Sequence, residues 1–246
     1  MKPTSKSRPA ESGRDRLIAA FLLAALVSAG LHFAQPWGRY VLYPFALLAT
    51  WAHEMGHGLA ALLFGGSFHE LDLYPDLGGQ ALHTAGGFFA RPLVAMAGLL
   101  GPAIAGGGVI VLGARSERAA RGVIGALAAI VALTVVIWVR TLFGVVAMSL
   151  IAAALGLLAA RGGELLKLFT TQLIGIQLCL GSLADFDYMF SPGFTRDGKP
   201  MLSDTGTIAQ SWLLPYWFWG ALIAGLSVLI LATAFYRAWI RPYRRA

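Results

Sequence analysis

His53, Glu54 and His57 occur in the order His-Glu-Met-Gly-His inside an apolar stretch running from about Tyr40 to Phe64. Residues four apart on an α-helix share one face. Both imidazoles could therefore direct a ring nitrogen at one Zn²⁺ at ~2.0 to 2.1 Å, with Glu54 standing beside the water that the ion activates. The chemistry this predicts is metal-assisted hydrolysis. Zinc with an open position brings water toward a pKa of ~7, and an adjacent carboxylate takes its proton and passes it to a leaving amine. Peptide bonds fit that machinery best. Histidines that merely pack are the plain alternative, but a charge at the centre of a span costs ~2.5 to 3.5 kcal/mol, and ionisable groups placed there normally face a protein interior or a wet cavity. Three within five residues point to a site.

A catalytic zinc needs a third protein ligand, so that water keeps the fourth position. The candidates are Asp185, Asp187 and Asp204 late in the chain, and His69, Glu70, Asp72, Asp76 and His83 just after the motif. Leu173, Gln177, Gly181 and Asp185 form a stripe at i, i+4 spacing with Ser182 beside it, whereas Asp187 lies about 200° round the helix from Asp185. Helical phase selects Asp185 as the ligand and leaves Asp187 at the span end or in support of the site.

The elements that must position these groups are membrane helices. Hydrophobic residues make up 57% of the 246 and charged residues 13%, against about 25% charged in soluble domains, and the mean hydropathy is +0.69. The chain reads as an all-α polytopic membrane protein of six to seven transmembrane helices, with spans near 17–34, 40–64, 91–113, 122–139, 141–160, 168–190 and 212–236. Arg140 separates the fourth and fifth, which form either a tight hairpin or one broken helix. Residues 65–90 differ from their surroundings: Gly65-Gly66, alternating Phe68, Leu71 and Leu73, then Gly78-Gly79 and Gly86-Gly87 predict a short β-hairpin or re-entrant segment beside the zinc-motif helix. An exposed strand edge there could pair with an unwound substrate. A single membrane-embedded domain is expected over 17–240, between a basic, disordered N-terminal tail (1–16) and a basic C-terminal tail (241–246).

The net charge of +7 collects at span ends and tails, which predicts anionic lipid headgroups as partners and not nucleic acid. With seven spans, the loop carrying Arg115, Arg118 and Arg121, the loop carrying Arg161 and Lys167, and the C-terminal tail share one side, which positive charge marks as cytoplasmic. The basic N-terminus then falls on the other side. Either one span is partial or the N-terminal charges are overruled. In both cases the second and sixth spans run parallel. The lone Cys179 can form no intrachain disulfide.

The stretch Ala52-His53-Glu54-Met55-Gly56-His57-Gly58 through Phe64-Gly65-Gly66, followed by Gly98-Leu99-Leu100-Gly101-Pro102, resembles the B-like branch of the site-2 protease clan, peptidase family M50. Gly175-Ile176-Gln177, Asp185, and Ser203-Asp204 ahead of a Trp-containing last span resemble the same family. The resemblance implies an all-helical membrane metalloprotease with His53 and His57 as Zn²⁺ ligands, Glu54 as the catalytic group and an acidic third ligand matched best by Asp185. Residues 183–186 read Leu-Ala-Asp-Phe, where better-known members carry Asn-Pro-Asp-Gly or Leu-Asp-Gly. The function expected is a zinc-dependent intramembrane endopeptidase acting on membrane-protein substrates in a bacterial inner or plasma membrane. The alternative is a non-proteolytic membrane chaperone or regulator that retains a metal site. Glu54 favours the enzyme, since a structural zinc is closed by four ligands and needs no adjacent base.

Overall fold

Backbone within hydrocarbon must satisfy its own hydrogen bonds, so apolar runs of about 20 residues become helices. The computed structural model describes residues 9–184, 186–196 and 198–240. In chain order its elements are α1 (Pro9–Phe33), α2 (Trp37–Leu63), β1 (Ser67–Leu73), β2 (Gly79–Thr84), α3 (Ala90–Gly113), α4 (Glu117–Ile137), α5 (Leu142–Arg161), α6 (Glu164–Ala184), α7 (Phe186–Met189), β3 (Gly193–Arg196), β4 (Lys199–Leu202), α8 (Asp204–Ser211) and α9 (Tyr216–Phe235), which continues as a π-turn over Tyr236–Ile240. The predicted tail over 1–16 is shorter here, since α1 already includes residues 9–16. The C-terminal tail, 241–246, lies outside the described residues.

Among the described residues, six helices are long and apolar enough to cross a bilayer: α1 from Asp15, α3, α4, α5, α6, and α9 with its π-turn. At 27 residues α2 is no shorter. Its apolar run is interrupted by His53, Glu54 and His57, and it is shielded by other elements along the half that carries them.

Small residues set the helix contacts, as close backbone approach requires in a membrane. A Cβ at Gly56 would lie 2.3 Å from the Ala97 oxygen, and one at Gly101 would lie 2.6 Å from that of Ala52, so α2 and α3 are antiparallel. Gly106 packs on Gly175 and Cys179, and Ser182 Oγ donates to the Leu99 carbonyl at 2.8 Å, so α3 and α6 are antiparallel as well. It follows that α2 and α6 run parallel, as the span count requires, with Gly181 against Ala49. Gly56 and Gly58 admit α3 and the Phe68 ring. α1 also runs parallel to α6: Ala20 packs with Leu168, and Gln177 Nε2 donates to Ser28 Oγ at 2.8 Å. α4 and α5 form the tight hairpin, its turn capped by Thr141, whose Oγ1 accepts from Gly144 N at 3.2 Å.

The predicted β-hairpin is present. β1 pairs antiparallel with β2, with an irregularity between Phe68 and Glu70. Its apolar alternation buries Leu71 and Leu73 completely. The outer edge of β1 is covered by the α4–α5 turn, where Leu71 N donates to Trp138 O at 2.9 Å and Arg140 N donates to Leu71 O at 3.2 Å. Among the described residues β2 has no second strand neighbour.

Candidate metal centre

The HEMGH segment lies on the buried half of α2, where helical spacing turns both imidazoles to one side. Their rings are edge-on, with centroids 4.7 Å apart, and the two Nε2 atoms are 3.0 Å apart. His57 Nδ1 is 3.0 Å from the Val94 carbonyl. A carbonyl only accepts, so Nδ1 carries the proton and Nε2 is left with the lone pair a metal needs. Glu54 is buried beside them.

The third donor comes from far along the chain. Asp204 Oδ2 lies 3.2 Å from His53 Nε2 and 3.4 Å from His57 Nε2. Asp204 opens α8. Ser203 caps that helix by accepting from Gly206 N at 3.0 Å, a cap worth ~1 kcal/mol, and the helix N-terminus favours a carboxylate in its first turn. Tyr188 Oη accepts from Asp204 N at 3.1 Å. Ile208, fully buried and packed with Ala95, Leu99 and Ile223, anchors α8 on α3. Burial pushes the Asp204 carboxyl up, but the facing His57 and His53, when protonated, outweigh it and hold the group below the usual carboxylate range; a cation in their place would act in the same sense.

These three donors fit a zinc ion. A regular tetrahedron with bonds of ~2.0 to 2.1 Å has ligand-to-ligand edges of about 3.3 to 3.4 Å, and the edges here are 3.0, 3.2 and 3.4 Å. Asp204 Oδ2 is also a buried carboxylate oxygen without a hydrogen bond, an orphan that a cation would satisfy. Among the described residues this is the one group of His, Cys, Asp or Glu drawn together in that way.

Asp185, the ligand selected by helical phase, lies outside the described residues. The polar stripe that pointed to it is used for packing: Gln177 bonds to Ser28 of α1, and Ser182 bonds to Leu99 of α3 and lies 3.0 Å from the Ser227 hydroxyl of α9. Asp187 is exposed on α7. His69 sits at the hairpin irregularity, with Nε2 2.6 Å from Ser67 Oγ, and Asp76 caps the hairpin turn by accepting from Gly78 N at 2.9 Å. His83 is near the centre without joining it. Its ring stacks on His57 with centroids 5.7 Å apart, its Nδ1 bonds to Ala81 O at 2.8 Å, and burial lowers its pKa.

A profile described as Peptidase M50B-like matches residues 18–234. The chain belongs to the M50B-like peptidase family. Membership makes it an integral, multi-pass membrane protein of the site-2-protease type of metallopeptidase. No curated protein and no solved structure is significantly similar to it.

In this M50B-like chain the centre lies between two cavities that share His53, Glu54, Gly79, Tyr188 and Phe194. One, of about 640 Å³, extends along β2 past Ala81 and His83 toward Arg91. The other, of about 830 Å³, extends toward Thr50, Tyr74 and Thr195. Two glycines shape the centre itself. A Cβ at Gly98 would fall 2.2 Å from His57 Cε1, and one at Gly79 would fall 2.6 Å from Glu54 Oε1. Gly98→Ala gains about 1 kcal/mol of helix propensity, yet it must displace the His57 imidazole. We expect a ~10- to 100-fold loss of metal affinity, the range typical for a disturbed ligand orientation, read by zinc titration of the purified variant. Wild-type affinity would show that the ring can shift without cost.

Proposed function

We propose that this protein is a zinc-dependent intramembrane endopeptidase, with His53, His57 and Asp204 as the metal ligands and Glu54 as the general base. The observation that carries the reading is the convergence of two imidazole Nε2 atoms and one orphaned, buried carboxylate oxygen beside a glutamate that is not among them. Bound there, Zn²⁺ would supply Lewis acidity, polarising the scissile carbonyl and acidifying water. Glu54 takes a proton from the attacking water as its oxygen adds to the carbonyl carbon, and gives that proton to the amine nitrogen as the C–N bond breaks. Tyr188 holds Asp204 through its backbone N–H, and Val94 fixes the His57 tautomer.

A helical substrate hides its peptide bonds, so it must unwind before it is cut. The edge of β2 that has no strand neighbour among the described residues offers backbone groups to an extended segment, along the cavity that reaches the proposed metal ligands. Burial of the centre among α2, α3 and α8 favours a membrane-embedded or juxtamembrane substrate over a soluble protein.

The test combines metal content by elemental analysis with cleavage of model transmembrane substrates by the purified protein. One equivalent of zinc and turnover that chelation abolishes are expected. Zinc without turnover across a broad substrate panel would favour a chaperone or regulator that keeps its metal site.

A further inference from the structure

The basic residues and the metal centre occupy opposite ends of the helix bundle. Arg16, where the apolar part of α1 begins, lies 3.6 Å from both Glu117 at the start of α4 and Glu164 at the start of α6. Phe21 of α1 packs its ring against Phe235 at the end of α9 and Trp239 of the π-turn, and Gly113 at the end of α3 meets Thr171 of α6. These ends form one face. Of the 19 Lys and Arg, five lie in 1–16, three in 115–121, two in 161–167 and four in 237–246, segments that are joined to this face by chain connectivity. The remaining five are Arg39, Arg91, Arg140, Arg196 and Lys199.

The centre sits at the other end. His57 bonds to Val94, four residues into α3 and so about 6 Å along the helix from its start. The α4–α5 turn is at the same end, tied to β1 through Leu71. The conflict between seven spans and the basic N-terminus is also removed. α1 and the motif-bearing half of α2 both run parallel to α6, so the chain makes no crossing between them. With six crossings, every strongly basic segment falls on one side.

An excess of Lys and Arg in short loops and at span ends marks the cytoplasmic side. We infer that the metal centre opens at the extracytoplasmic end of the bundle. Given the peptidase reading above, its substrates are membrane proteins whose cleavable bond lies in a segment that can become extended at the outer end of a transmembrane helix. The cytoplasmic part of such a substrate stays anchored after the cut.

Orientation can be read without any activity. Pro75→Cys places a thiol at the exposed hairpin turn, and Gly163→Cys places one at the exposed α5–α6 turn, where a side chain meets open space. The native Cys179 is buried and serves as the unlabelled control. With a membrane-impermeant maleimide, intact cells should label Pro75→Cys at least 10-fold more than Gly163→Cys, and inverted vesicles should reverse the ratio. The opposite pattern overturns the inference. A fluorescent reporter and an alkaline phosphatase fused in turn after Ala246 check the result on a chain without internal changes; fluorescence without phosphatase activity is expected, and the converse overturns the inference. A single-span substrate tagged at both ends should then be cut near its outer end, and a cut near its cytoplasmic end overturns the substrate assignment. Expected labelling with no cleavage of any substrate would instead count against the peptidase reading alone.

Discussion

Glu54→Gln should leave zinc bound at wild-type stoichiometry and reduce cleavage by ~10² to 10⁴, the usual effect of losing a general base. The glutamine keeps the size and shape of the side chain, so the packing against Gly79, close enough that a Cβ there would meet Glu54 Oε1 at 2.6 Å, is preserved. What it loses is the capacity to accept a proton. Retained turnover, in a preparation shown free of contaminating protease, would remove Glu54 from the mechanism. Parallel loss of metal and activity would make it a ligand instead of a base.

The second large effect concerns Asp204. Asp204→Ala should lose zinc as completely as His53→Ala or His57→Ala, because a three-ligand site deprived of one donor is open on two sides. The expected loss of affinity exceeds the ~100-fold that disturbance of an outer partner produces. Asp185→Ala should keep its metal. Elemental analysis of the four purified variants decides the matter. If Asp185→Ala is metal-free while Asp204→Ala is loaded, Asp185 is the third ligand, and the carboxylate at the start of α8 is an ion-pair partner only.

The membrane character, the β-hairpin and the two histidines were legible because each is local: apolar run length, alternation between glycines, and i, i+4 spacing. The third donor was legible only as a set of candidates: helical phase pointed to Asp185, whereas the group brought together with the two histidines is Asp204. Selecting Asp185 treated a polar stripe on α6 as a pointer to the metal, whereas Gln177 and Ser182 bond to α1, α3 and α9. In a bundle, polar residues also join helices, and phase alone does not separate the two uses. Ser203-Asp204 carried a subtler signal: a capping serine followed by an acid at the first helical position, ahead of a helix too short to span. The path of α2 was hidden for a similar reason. Its length resembles a span, and only the contacts of its neighbours reveal that it runs parallel to α1.

The centre joins residues 57 and 204 through α3, which receives the Val94 bond from one side and Ile208 from the other. During synthesis at about 5 to 20 residues per second, the histidines therefore emerge roughly 7 to 30 s before the aspartate proposed to complete their set. A nascent chain in that interval has the nucleophile-activating half of the machinery without the means to hold its ion. On the peptidase reading proposed above, the protein is born inert, and hydrolytic competence arrives only when α8 docks, a step that involves the last crossing because Ile208 packs against Ile223 of α9.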